Sequence, residues 1–278
     1  MTVLEVLQST TAYFKKRNIE SARLNAEHLL AHSLGLKRIE LYLAFERDLA
    51  EAELAPLRDL VRRRGQGEPL QHLLGTVEFC GKIFACDKRA LIPRPETEEL
   101  VELLQSVFTA PPSAILDVGT GSGVIALSLA AAFPAAEVHA VDISEEALAL
   151  ARENAERLGL VERVQLMRGN LLDSLTHSYD LIVANLPYVP SSERAAVSRE
   201  VRNDPDVAVF AEANGEEVIR KLITSAPRNL KPGGMLALEI GIGQAEGLTA
   251  FLRELNYHEI SARQDYAGVT RFLLSRYG

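Results

Sequence analysis

The stretch Leu116-Asp117-Val118-Gly119-Thr120-Gly121-Ser122-Gly123 runs from an apolar segment beginning at Ala114 into glycines at every second position, and apolar, helix-forming residues continue to Ala132. Strand, glycine turn, helix is the order expected where a ligand lies against the backbone. Glycine allows the sharp turn and the close approach, and the free N–H groups of the helix N-terminus face what is bound. Glu137-Val138-His139-Ala140-Val141 reads as the next strand, and Asp142 follows it, 19 residues past Gly123. A carboxylate at that place can accept both hydroxyls of a ribose. A tight turn with an incidental acid is the plainer reading of each piece alone; strand, turn, helix, strand and acid in this order favour a cofactor site.

Outward from this unit the alternation continues. Ser144 is a good N-cap for a helix with Glu145 and Glu146 in its first turn. Val164 to Met167, Leu181 to Ala184 and Met235 to Ile240 read as further strands. Such alternation predicts an α/β domain: a mainly parallel sheet with helices on both faces. Upstream, residues 1 to 72 read as helix throughout. Leu54, Leu57, Leu60 and Val61 recur at helical spacing, and Gly35 is placed to end a helix begun near Asn25. The run Arg62-Arg63-Arg64 suits the negative end of its helix. His28 and His32 stand one turn apart but lack an acidic third ligand, so they predict solvated or packing histidines. Between Thr76 and Asp87 the period changes: Val77 and Phe79, then Ile83 and Ala85, alternate around Cys80-Gly81-Lys82 as a β-hairpin would. Pro93 and Pro95 then stiffen the chain and argue against regular helix there. The expected organisation is a helical domain over 1–72, a hairpin linker over 73–95 and an α/β domain over 96–278.

Composition bounds the function. Of 278 residues, 47% are apolar and 24% charged, enough for a full core without staples. Acidic residues outnumber basic ones 38 to 30, a formal charge of −8 that works against non-specific binding to phosphate backbones. Cys80 and Cys86 have neither the number of a disulfide framework nor the spacing of a zinc site, so reduced thiols in a cytoplasmic protein without metal are expected. The start, Met1-Thr2-Val3-Leu4-Glu5, does not resemble a signal peptide, and no apolar run approaches the ~20 residues needed to span a bilayer.

The kind of cofactor follows from the glycine spacing. Dinucleotide fingerprints are Gly-x-Gly-x-x-Gly; here the third glycine comes one residue early and Asp117 precedes the loop. This pattern resembles motif I of Rossmann-like methyltransferases, whose loop faces the methionine part of S-adenosylmethionine. The apolar strand Asp180 to Ala184 ends in Asn185-Leu186-Pro187-Tyr188. In an open α/β sheet ligands bind beyond the carboxyl ends of strands, so this tetrapeptide and the glycine loop, 62 residues apart, are expected side by side. Their residue types suit an amide or exocyclic amine nitrogen, whose lone pair is delocalised. The Asn185 side-chain carbonyl and the Leu186 backbone carbonyl can accept its two N–H groups and stabilise the charge that develops on attack. Tyr188 can stack on the planar group, and Pro187 holds Leu186 extended.

The chain resembles the HemK-type N5-glutamine methyltransferases that modify peptide chain release factors. The resemblance lies in Asn185 to Tyr188, where the usual signature is Asn-Pro-Pro-Tyr and Leu186 departs from it. It extends through Glu68-Pro69-Leu70 to Gly75, Glu78-Phe79, Leu91-Ile92-Pro93-Arg94-Pro95-Glu96-Thr97-Glu98, Leu238-Glu239-Ile240-Gly241 with Gln244, and Asp265-Tyr266-Ala267-Gly268 through Arg271. Ser21 to Glu27 resembles the family's helical N-terminal domain, with Asn25 where an acid is common. The resemblance implies a class I, Rossmann-like fold with a mainly parallel seven-stranded sheet. It implies S-adenosyl-L-methionine as cofactor, held by Gly119, Thr120, Gly121, Ser122, Gly123, Asp142, Asn170, Leu171 and Asn185, with S-adenosyl-L-homocysteine as product. The substrate glutamine of a Gly-Gly-Gln loop would lie on Asn185, Leu186, Pro187 and Tyr188, with Asn185 and Tyr188 catalytic and only the backbone carbonyl of Leu186 engaged. Class 1 release factors would be the protein partners of a monomeric enzyme that touches neither nucleic acid nor membrane.

Three other readings compete. An N6-adenine methyltransferase shares the tetrapeptide, but it must extrude a base and grip phosphates, which an acidic chain with a small helical domain suits poorly. A glutamine methyltransferase acting on a ribosomal protein differs only in substrate. A cofactor-binding scaffold is expected to have lost Asn185 or Tyr188, and neither is lost.

Overall fold

The computed structural model describes all residues except 174, 199, 212 and 213, and the chain divides into two compact units, Met1–Thr76 and Val77–Gly278. The first unit is helical: α1 (Val3–Lys16), α2 (Ala22–Leu34), a 3-10 turn over Arg38–Leu43, α3 (Glu51–Gly65) and α4 (Leu70–Leu74). Thr2 caps α1, its hydroxyl accepting from the Glu5 N–H while the Glu5 carboxylate accepts from the Thr2 N–H. Gly35 ends α2 in the left-handed conformation, as its position predicts. The apolar faces of these helices meet in one core around Phe14, Leu29, Leu30 and Leu41. Arg62, Arg63 and Arg64 stand in the last turn of α3, as expected, but Arg64 is also buried: it is 2% exposed, and its Nε donates to Asn25 Oδ1 at 2.7 Å. Arg62 and Arg63 do lie outside, paired with Asp59 and Glu68.

The second unit opens with β1 (Thr76–Phe79) and β2 (Lys82–Ala85). Cys80 and Gly81 both take positive φ, 47° and 69°, the twist that a two-residue hairpin requires. The inward face differs from the expected alternation. Phe79 and Phe84 are fully buried, edge to face with ring centroids 6.0 Å apart, while Ile83 is half exposed. The two-residue turn sets Lys82 and Phe84, not Ile83, in phase with the pleat of β1. Phe79 and Phe84 belong to the core that also holds Leu100, Leu104 and Ile115, so the hairpin is folded into the second unit. Pro93 lies outside any helix, as expected, but Pro95 does not. Pro95 is the first residue of α5 (Pro95–Val107), where a missing N–H costs nothing and the fixed φ suits the helix.

Thereafter come β3 (Ala114–Val118), α6 (Val124–Ala132), β4 (Glu137–Asp142), α7 (Glu145–Leu158), β5 (Val164–Arg168), β6 (Tyr179–Asn185), β7 (Val189–Pro190), α8 (Asp206–Val209), β8 (Phe210–Ala211), α9 (Glu217–Ser225), β9 (Leu230–Glu239), α10 (Ala245–Glu254), β10 (Tyr257–Gln264) and β11 (Thr270–Tyr277). The seven-stranded sheet has the order β10-β11-β9-β6-β3-β4-β5. The pairs from β9 through β5 are parallel, and β11 enters antiparallel to β9 and β10. This is the mainly parallel, Rossmann-like sheet expected. Its central strands are apolar on both faces, with one core cluster on each side. Ser144 caps α7 by accepting from the Ala147 N–H at 3.2 Å. Among the described residues no helix is long and apolar enough to cross a membrane.

The face of β2 can be tested. Phe84→Ala should cost about 3–5 kcal/mol and Ile83→Ala less than about 1 kcal/mol in urea-monitored unfolding. Equal losses would contradict the burial pattern described.

Candidate functional site

Parallel pairing of β3 with β6 sets Val118 opposite Ala184, and β4 beside β3 sets Val118 opposite Val141. The segments that leave these strands therefore emerge at one edge. There Gly119, Thr120, Gly121, Ser122, Asp142, Asn170, Leu171, Asn185, Leu186 and Pro187 line a single cleft of about 350 Å³. Of the residues selected from sequence, Gly123 and Tyr188 stand apart from its wall. Gly123 has φ 83°, and an added Cβ would press on Ala151 and Leu127 at 3.1 Å, so it serves the packing of α6 on α7. Tyr188 is partly buried beside Gly241, its backbone carbonyl accepting from Gln244 Nε2 at 3.3 Å. Burial, then the Glu239 carboxylate, pushes its phenol up to about 12, so it is a neutral ring at physiological pH.

The glycine loop is shaped by buried groups. Asp117 is fully buried; its Oδ2 accepts from Thr120 Oγ1 at 2.6 Å and from the Ala126 N–H at 3.1 Å. Burial raises its pKa to about 7, against the pull of those two donors. Asp142 holds the turn from outside, one oxygen accepting from the Gly121 N–H and the other from the Ser144 N–H, each at 2.8 Å. A carboxylate has about four acceptor positions, so both oxygens keep capacity for ribose hydroxyls. Residues that no motif singles out complete the frame. Asn154 on α7 is wholly buried, donating to the Ser122 carbonyl at 2.9 Å while its Oδ1 accepts from the Ala85 N–H at 2.6 Å. It ties the loop to β2. Asp204 accepts from the Ile92 N–H at 3.1 Å and from Arg94 at 2.6 Å, fastening the connection after β7 to the proline segment. Burial raises Asp204 to about 6 despite Arg94.

Leu186 requires a correction. The resemblance implies that only its backbone carbonyl is engaged, but its side chain is 5% exposed and packs against Gly119, where a Cβ would meet Leu186 Cδ2 at 2.8 Å. The side chain and the bare glycine therefore form one close contact between the two motifs, and Gly119, at φ 74°, is excluded from other residues twice over.

Around Asn185 the structure assembles a network that no sequence spacing announces. Asn185 ends β6 and pairs in register with Glu239, the last residue of β9. Thr97, in the first turn of α5, donates from its hydroxyl to Glu239 Oε2 at 2.7 Å and accepts from Asn185 Nδ2 at 3.0 Å. Thr97 and Glu239 are 3% and 2% exposed. Burial first, then Glu96, raises Glu239 to about 7. The only signal in the sequence was that both residues fall in blocks of family resemblance, which did not connect them.

Comparisons with known proteins identify the family and the fold. Residues 5–75 match the model of the PrmC N-terminal domain and residues 96–245 that of the methyltransferase small domain. The chain is similar to a release factor glutamine methyltransferase of Geobacter sulfurreducens, 42% identical over 100% of this chain and 97% of that one. A protein of the same name from Deinococcus radiodurans is also 42% identical, over 99% of each chain. Among solved structures, a ribosomal protein L11 methylase from Lactobacillus delbrueckii subsp. bulgaricus aligns with TM-score 0.51 and 23% identity, over 69% of this chain and 84% of that one. A methyltransferase from Pyrococcus furiosus aligns at 0.53 and 22%, over 70% and 88%. At that identity the two structures speak for the fold alone.

The electrostatics of the loop have a measurable consequence. Because the folded pKa of Asp117 is raised, its contribution to stability is full below the ordinary carboxylate value and lost as pH climbs to about 7. Relative to Asp117→Asn, the wild-type urea midpoint should fall between pH 4.5 and 7 and stay level above. A constant difference across that range would contradict it.

Proposed function

Because the chain belongs to the release factor glutamine methyltransferase family, we propose that it methylates the side-chain amide nitrogen, N5, of the glutamine in the Gly-Gly-Gln loop of class 1 peptide chain release factors. The cofactor in this reading is S-adenosyl-L-methionine, leaving as S-adenosyl-L-homocysteine, and the enzyme works as a monomer in the cytoplasm. The observation that carries the reading is the state of Asn185. Its Nδ2 is committed to Thr97, and among the described residues its Oδ1 has no hydrogen bond, at the wall of a cleft built on the glycine loop.

The cleft fits the cofactor on its own geometry. Gly119 and Gly121 take positive φ, presenting bare backbone to the cleft, and Asp142 lies on the same wall with acceptor capacity to spare. In this reading the glycine loop and Asn185 flank the methionine moiety, Asp142 takes the ribose, and Asn170 and Leu171 border the adenine. The bound cofactor supplies an electrophilic methyl on a sulfonium.

The chain's own residues do the remainder. Asn185 Oδ1 and the Leu186 carbonyl accept the two N–H groups of the glutamine amide, which orients its nitrogen and stabilises positive charge as it develops. Pro187 keeps Leu186 extended, and the packing of Leu186 on Gly119 sets how far the accepting carbonyl stands from the loop. Tyr188 bounds the amide plane from beside the cleft. The proton can leave to water after transfer, so no strong base beside Asn185 is needed.

The reading is tested with labelled methyl transfer to a purified release factor, intact and with the loop glutamine replaced by alanine. Label should enter the first and not the second. Label that ignores the glutamine, or enters a ribosomal protein instead, overturns the substrate. Asn185→Ala should lower turnover about 10²–10³-fold with cofactor affinity kept within a few-fold. Asp142→Ala should weaken the cofactor instead, by roughly 1.5–3 kcal/mol for a lost charged hydrogen bond, as read by calorimetry.

A further inference from the structure

We propose that Thr97 and Glu239 are positioning residues that set which end of the Asn185 side-chain amide faces the substrate, so that the carboxylate acts on the reaction through a threonine hydroxyl. The inference rests on the function proposed above and adds two residues that do not themselves line the cleft.

Donors and acceptors decide the orientation of the amide. An asparagine amide can face the cleft with its oxygen or with its NH₂, and only the oxygen accepts an N–H from a substrate amide. The wrong face would set donor against donor. What decides is the partner behind it. A hydroxyl has one proton. Thr97 gives its proton to Glu239 Oε2 at 2.7 Å, so it meets Asn185 as an acceptor, and the atom it accepts from at 3.0 Å is Nδ2. With Nδ2 held, Oδ1 is the end left for the substrate. An ionised carboxylate has no proton to return, which makes the direction of the chain unambiguous. Packing permits little else. Thr97 and Glu239 are almost wholly buried, and Asn185 and Glu239 are paired residues at the ends of adjacent strands. The three come from α5, β6 and β9, so the device exists only once the sheet and the helix have docked.

Protonating Glu239 removes this bias. A Glu239 O–H can donate to Thr97, whose hydroxyl is then free to donate to the asparagine oxygen and hold the amide the wrong way round. The charged and titratable groups facing Glu239 are Glu96 from α5, Arg271 from β11 and Tyr188 from the segment after β6; burial, then Glu96, raises its pKa, while the Thr97 hydroxyl, Arg271 and the Asn185 amide, which also reaches the carboxylate directly, lower it, leaving it at about 7. Turnover should therefore fall as pH drops through about 7.

The test compares Thr97→Val, Thr97→Ser and Glu239→Gln with wild type by labelled methyl transfer, cofactor calorimetry and thermal unfolding, from pH 5.5 to 8.5. Thr97→Val should lower kcat at least tenfold with cofactor Kd within threefold, and Thr97→Ser should recover most of that loss. The wild-type fall in kcat below about pH 7 should be absent in Thr97→Val and Glu239→Gln. Independently of turnover, the Asn185 side-chain NH₂ resonances, identified by their loss in Asn185→Ala, should shift with pH through about 7 in wild type and stay still in Glu239→Gln. Two outcomes overturn the inference: Thr97→Val and Thr97→Ser equally active or equally impaired, or an acid limb unchanged by Glu239→Gln. If Thr97→Val fails to fold, the Thr97→Ser rate, the Glu239→Gln profile and the resonance shifts still decide. A wild-type enzyme that places no label on the glutamine refutes the proposed function, whereas an active wild type with indifferent variants refutes only this network.

Discussion

Parallel pairing of β3 with β6, Val118 against Ala184, is the constraint from which the site descends. It brings the Gly119 turn and Asn185 to one edge although 62 residues separate Gly123 from Asn185. The contact between Leu186 and Gly119 then sets how closely the two motifs approach. A helix or strand misplaced at this seam would leave a glycine loop with no acceptor beside it. Because the central strands are buried on both faces, a slip of one residue would reverse every side chain, so register is strongly held.

Among the buried carboxylates of the second unit, Asp117, Asp204 and Glu239 surround that seam. Removing such groups from water is costly unless donors replace it. Each has them: Thr120 and the Ala126 N–H for Asp117, Arg94 and the Ile92 N–H for Asp204, Thr97 for Glu239. Their pKa values are raised because these donors do not fully replace water. Each joins elements distant in sequence or fixes a turn, so the cost of burial is tied to the geometry of the cleft. Asn154 does the same with a neutral amide, holding the glycine loop to the hairpin.

Much of this was legible beforehand because local chemistry and local structure agreed. The strands from Ala114 to Ile240, the caps at Ser144 and Gly35, and the hairpin at Cys80-Gly81 follow from apolar runs and turn residues whose preferences are short-range. The inward face of β2 was misjudged because alternation alone does not say which phase is buried; the turn geometry does, and Phe84 rather than Ile83 faces the core. Arg64 reads as one of three helix-end cations, and only the fold shows that it is buried against Asn25, 39 residues away. Pro95 looked like an obstacle to helix and proved to be its first residue.

By itself the sequence determined an α/β sheet with a glycine turn, an acid on the neighbouring strand and an Asn-Leu-Pro-Tyr segment at a strand end. These are properties of contiguous residues, set by φ freedom, hydrophobic period and donor inventory. Only tertiary structure decided that Leu186 is packed rather than free, that Tyr188 stands beside the cleft rather than on its wall, and that Asn185 is held through Thr97 by Glu239. Those depend on distances between residues far apart in the chain, and a hydrogen bond of about 3 Å between α5 and β6 leaves no periodicity in the sequence to read.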